Sequence, residues 1–102
     1  AAQYAADVKR TLKKMRRAFS NGAGDSICIL IGEPSRHPDK ATALRGEFIT
    51  AIQTLADTLP NTVFVHSANL AANSDGDSWH FSAAAQMKLG DRYWNKFRNR
   101  CD

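Results

Sequence analysis

The clearest chemical potential in this chain lies in Asp77-Ser78-Trp79-His80-Phe81-Ser82, where a carboxylate precedes an imidazole by three positions. An Asp at that distance can accept the imidazole Nδ1–H and leave Nε2 to take a proton from a nucleophile, the base-and-orienter half of a catalytic triad. Taken alone, the tetrapeptide is also an ordinary polar loop in which the Asp caps a turn and the His is solvated. The residues after His80 narrow the geometry. Ser82 has the chemistry of an N-cap and the run from Ala83 to Met87 is a strong helix former, so His80 is expected just outside a helix N-terminus. Asp75 competes as the orienter, although with Gly76 it also has the composition of a turn.

The elements that must position these residues are legible from periodicity. Tyr4, Val8, Leu12, Met15 and Phe19 recur at steps of four, four, three and four, a helical stripe with Lys9, Arg10, Lys13, Lys14, Arg16 and Arg17 mostly off it. Asn21, Gly22, Ala23 and Gly24 stop that helix. Residues 27–31 form a short continuous apolar run, which fits a strand buried on both faces. A loop with two prolines follows over residues 32–39, then a second helix marked by Leu44, Phe48, Ile52, Leu55 and Leu59 and closed by Pro60 and Asn61. A second strand begins at Thr62-Val63-Phe64-Val65 and is expected to run on to Ser67. The polar stretch 69–79 reads as a loop, and the last helix spans about residues 83–98, with Ala84, Met87, Leu89, Tyr93, Trp94 and Phe97 on its apolar face.

The order is therefore α-β-α-β-α, an α/β arrangement in which a right-handed crossover joins parallel strands. Loops leaving the carboxyl ends of such strands line the ligand crevice, so residues 32–39 and 69–80 belong to one edge of the sheet. Arg36 and His37 lie on the first of these loops, where they either contact a polar substrate or are simply solvated. Trp79 either walls a substrate pocket or folds back onto the last helix.

Composition excludes several classes. With 43% hydrophobic and 24% charged residues over 102 positions, the chain reads as globular rather than disordered. No apolar run approaches the ~20 residues that span a bilayer, so no membrane role is expected, and there is no signal-peptide pattern at the first residues. The net charge of +4 raises a polyanion as partner, but six of the fourteen basic residues fall between Lys9 and Arg17, where a solvated helix face accounts for them. Nucleic acid is accordingly not the expected partner. Cys28 and Cys101 allow one disulfide and have no metal-binding spacing; Cys28, inside an apolar run, is expected to be a buried free thiol. His66 ends a strand without a Cys, His or carboxylate cluster around it, so no metal site is expected there.

The stretch from Asp77 through His80, Phe81, Ser82, Ala85, Gln86, Leu89 and Gly90 to Tyr93 resembles the last motif of the SGNH (GDSL-like) hydrolases, and most of all the carbohydrate acetylesterase branch that includes sialate O-acetylesterases. The resemblance is specific over residues 75–94 and looser, in the right order, elsewhere. It implies a flavodoxin-like SGNH fold of which this chain is the C-terminal α-β-α-β-α part, one unit from 1 to 102 without an internal boundary. It also implies a serine esterase with an acetylated carbohydrate or other ester as substrate, Asp77 and His80 as its acid and base, no cofactor, and an extracellular or secreted setting. Asp77 is preferred over Asp75 because it has the family's three-residue offset.

The family's nucleophilic Ser and most of its oxyanion hole precede everything in this chain, so an N-terminal complement is expected to supply them, as a missing segment or a second chain. Gly24-Asp25-Ser26 spells the family's signature but is rejected on geometry: Ser26 comes before a strand, and the nucleophile must follow one. Gly76-Asp77-Ser78 is not preceded directly by a strand either. Two readings compete with the esterase: a non-catalytic basic module that binds a polyanion through the first helix, and a structural remnant whose site has decayed.

Overall fold

The computed structural model describes residues 2–19, 26–35, 42–72 and 80–101. Five elements run in the order α1 (Ala2–Phe19), β1 (Ile29–Gly32), α2 (Thr42–Thr58), β2 (Thr62–Val65) and α3 (Ala83–Arg100). β1 and β2 pair in parallel, with Ile29 opposite Thr62 and Gly32 opposite Val65. The α/β class and the element order are those expected, and they are consistent with a partial SGNH-like fold. Both strands end earlier or start later than their apolar runs. β1 begins at Ile29 rather than residue 27, and β2 stops at Val65, so that His66 and Ser67 leave the sheet.

Alternation along the strands divides the packing into layers. Ile31 and Phe64, opposite one another, face α2 and pack with Ile52, Ala56, Phe48 and Ile49. Gly32 faces the other way, where the ring of Tyr93 on α3 lies against its backbone. α1 rides beside α2, with Tyr4 and Phe48 in ring contact at 4.6 Å. The core is concentrated on α2 and β2: Ile52, Leu55, Ala56, Val63, Phe64 and Val65 are all buried, whereas every residue of β1 is only half-buried. Among the described residues β1 has one neighbouring strand where its sequence suits two.

The turn from α2 into β2 is made by Asn61, whose φ of 46° is the left-handed conformation that Asn tolerates better than most residues. Its carbonyl accepts from the Ile29 N–H at 2.9 Å and from the Arg16 guanidinium at 3.1 Å. Arg16 corrects the reading of α1 as a helix whose basic residues are all solvated. It is 4% exposed, and the same Nη2 also donates to the Ile27 carbonyl at 2.8 Å and to Thr62 Oγ1 at 3.2 Å. The cation thus closes the amino-terminal edge of the sheet, where the chain entering β1 and the turn before β2 converge. Its neighbours Lys13, Lys14 and Arg17 are exposed, as expected.

Two further expectations are corrected. Cys28 is not a free thiol: it forms a disulfide with Cys101, 73 residues away, which ties the start of β1 to the end of α3. The inward face of α3 is rotated from the expected one. Ala85 is buried and Leu89 and Tyr93 are half-buried, while Met87, Trp94 and Phe97 are exposed, Met87 by 76%. Counting every apolar residue misplaced that face, because among the described residues α3 has only two strands to cover.

Candidate active site

The carboxyl ends of β1 and β2 release two short segments side by side, residues 33–35 and 66–70. The ladder continues one step past the strands, with the Glu33 N–H donating to the Val65 carbonyl at 2.9 Å. This carries the Glu33 side chain into the gap between the segments, where its carboxylate is fully buried. A buried carboxylate requires partners. Oε1 accepts from Ser67 Oγ at 3.2 Å and Oε2 lies 3.2 Å from His66 Nδ1. Ser67, 1% exposed, also reaches the Pro34 carbonyl at 2.9 Å, so its one hydroxyl proton serves either acceptor and braces the two loops in both arrangements. His66 is half exposed, stands edge-on to Phe64 at 5.0 Å, and accepts at its carbonyl from Arg92 Nη1 at 2.9 Å. Behind it, Asn69 at φ 64° turns the chain, with the Leu70 N–H donating to the Ser67 carbonyl at 3.2 Å.

The same edge carries His80. Ala72 and Phe81 form an antiparallel bridge, and the Ser82 N–H donates to the Ala71 carbonyl at 3.0 Å, so the chain entering α3 is held against the chain leaving β2. Ser82 is the N-cap, with φ −60° and ψ 162°, and its hydroxyl accepts from the Ala85 N–H at 3.1 Å. Gln86 reaches back from the first turn to the Phe81 carbonyl at 3.1 Å. His80 therefore sits exposed, two residues before the N-cap of α3 and next to a bridge that fixes its backbone. Asp77, Asp75, Trp79, Arg36 and His37 lie outside the described residues.

Ser26, the rejected nucleophile, lies at the opposite edge. It precedes Cys28, which is bonded to Cys101 at the far end of α3 from His80. An 18-residue helix separates the two ends, roughly 27 Å at 1.5 Å per residue. Among the described residues, Ser35 and Ser67 near the carboxyl ends of the strands are both buried, Ser67 is committed to the brace, and Ser82 caps α3.

Sequence reasoning passed over Glu33 and Ser67. A signal was present: a carboxylate directly after the apolar run Ile29-Leu30-Ile31 and Gly32 leaves a buried strand end and needs a donor close by. The donors came from the segment after β2. Nearby, burial raises the Tyr93 phenol above its usual value near 10, because the ionised form would lose its hydration.

Comparison with known proteins bears on the family of the chain. No curated protein and no solved structure matches the chain significantly. A family described as carbohydrate esterase, sialic acid-specific acetylesterase, does match, over residues 1–99. That match covers nearly the whole chain, and the chain belongs to this family of carbohydrate esterases.

Proposed function

We propose that this chain contributes the acid-and-base half of a serine acetylesterase that removes O-acetyl groups from a carbohydrate. A serine from an N-terminal complement attacks the acyl carbon, His80 takes its proton and passes it to the departing sugar alkoxide, and Asp77 orients the imidazole and stabilises its charged form. Water then releases acetate by the same base. The observation that carries the reading is His80, exposed beside the capped start of α3 at the carboxyl edge of a parallel sheet, in a chain of an esterase family. The Glu33–Ser67 brace supports it, because it holds together the two loops between which a substrate would lie.

The need for a complement is supported by β1. Its residues are half-buried, and beside it Leu12, Met15, Phe19, Ile27 and Ile29 line an apolar groove of about 280 Å³. On the opposite face, Trp94 and Phe97 stack at 5.9 Å on the exposed flank of α3. A further strand alongside β1, with its own helices, would cover all three surfaces, and its carboxyl end would bring a nucleophile to the edge where His80 lies.

The test is kinetic, in the enzyme that contains both parts. His80→Ala is expected to lower kcat by several orders of magnitude with little change in folding, and Asp77→Asn by on the order of 10⁴, since an amide can hold the wrong tautomer. Asp75→Asn is expected to be nearly silent. A crippled Asp75→Asn beside an active Asp77→Asn would move the orienter by two residues. The 102-residue chain alone is expected to show no esterase activity, and turnover lost with Ser26→Ala would overturn the assignment of the nucleophile to a complement.

A further inference from the structure

α3 leaves a second surface that, apart from His66 at its margin, the esterase reading does not use. On the flank towards β2, away from Trp94 and Phe97, a groove of about 410 Å³ is lined by His66, Arg92, Asn95, Lys96, Asn99 and Arg100. Arg92, Lys96 and Arg100 follow at i, i+4 and i+8 and so share one stripe, about 6 Å apart along the axis. Asn95 and Asn99 form a parallel stripe beside it, Asn95 taking a long 3.5 Å contact from Arg98. The opposite wall is pre-shaped: His66 is held through Nδ1 by the buried Glu33 and through its carbonyl by Arg92, which leaves its Nε2 for a ligand. No carboxylate among the described residues lies within ion-pair distance of Lys96 or Arg100.

We propose that this groove binds an anionic oligosaccharide and anchors the glycan outside the catalytic crevice. Cations at regular spacing suit carboxylates, and the asparagine amides, which both donate and accept, suit sugar hydroxyls. A volume of about 410 Å³ falls in the range of small-molecule sites. Single-stranded nucleic acid fits less well, because its sites add aromatic platforms for base stacking and the aromatics of α3 lie on the other flank. The anionic part of the assignment rests on the groove alone; the choice of a glycan rests on the acetylesterase reading. The cation stripe belongs to α3, not to α1, the helix whose basic residues raise a polyanion partner from sequence.

The experiment is a calorimetric titration of the chain with oligosialic acid at low and moderate salt, beside a neutral oligosaccharide and an oligothymidylate of equal charge. Binding of the oligosialate that weakens with salt, with none of the neutral sugar, is expected. Lys96→Gln with Arg100→Gln should weaken it about tenfold, the product of two solvent-exposed ion pairs. Asn99→Ala should weaken the oligosialate more than the oligothymidylate. Removing the same charge from α1, by Lys13→Gln with Lys14→Gln, should change nothing. Equal loss with the α1 variant would reduce the effect to net charge and overturn the proposal, as would absence of binding at low salt. Equal affinity for the oligothymidylate would overturn the glycan assignment. Because the readout is binding, a full enzyme that lacks turnover but binds oligosialate through this groove would sink the esterase reading and leave the groove standing.

Discussion

The ring of Tyr93 occupies the space that a Cβ on Gly32 would need: a methyl group there would lie 2.9 Å from Cζ and closer still to the hydroxyl. This contact sets α3 on the sheet, and it explains why the last residue of β1 has no side chain.

Gly32→Ala should therefore destabilise the fold by about 1–3 kcal/mol through overpacking, since the phenol must move. In a Tyr93→Phe background, where the closest atom is gone, the same substitution should cost clearly less. A double-mutant cycle in denaturant reads the difference. Equal costs in both backgrounds would place the clash elsewhere. Gly46, in α2 with nothing within 4 Å of a built Cβ, is the contrasting case, and Gly46→Ala should raise stability by roughly 0.5–1 kcal/mol.

Tyr93 also gives the fold an alkaline limit. Its phenol is raised by burial, so above pH ~10 the unfolded chain releases this proton while the folded chain still holds it. The stabilisation is complete below the unfolded value and is lost as pH climbs through the raised folded value. Thermal melts from pH 8 to 11 should show a fall that is shallower in Tyr93→Phe. Identical slopes would show that other groups govern the alkaline side.

Arg16 should behave as part of the core, although α1 looks like a basic surface helix. Arg16→Ala removes donors to two carbonyls and a hydroxyl at the amino edge of the sheet, and about 2–3 kcal/mol of stability should go with them. Arg17→Ala, one position on and exposed, should stay within about 0.5 kcal/mol of the parent. Chemical denaturation of the two variants separates them directly.

The Cys28–Cys101 bond closes a loop of 73 residues, and in the chain-entropy account a loop of that length restricts the unfolded chain by about 4 kcal/mol. Reduction, or Cys28→Ala with Cys101→Ala, should lower the midpoint of unfolding accordingly. Mass measurement before and after alkylation checks the bond itself: two alkylated thiols in the untreated protein would remove it.

Much of the architecture is legible in the sequence. The spacing of Tyr4 to Phe19 and of Leu44 to Leu59, the apolar runs before Gly32 and after Asn61, and the Ser82 cap each reflect sterics and hydrogen bonds within a few residues, which the local sequence contains in full. The cap alone was enough to set His80 beside a helix start, and the alternation of elements was enough to make the strands parallel.

What only the tertiary structure decided are relations between distant residues. Cys28 meets Cys101, Arg16 meets Asn61 from 45 residues away, and Glu33 meets Ser67 from 34. None of these pairs is marked by spacing, because each depends on where the sheet edge brings two segments. The inward face of α3 was decided in the same way. Tyr93 turns in because Gly32 leaves room for its ring, while Trp94 and Phe97, as apolar as Tyr93 or more so, stay outside because among the described residues the sheet has only two strands for α3 to cover. Periodicity says that a helix has an apolar side; the width of the surface it covers decides which residues count as that side.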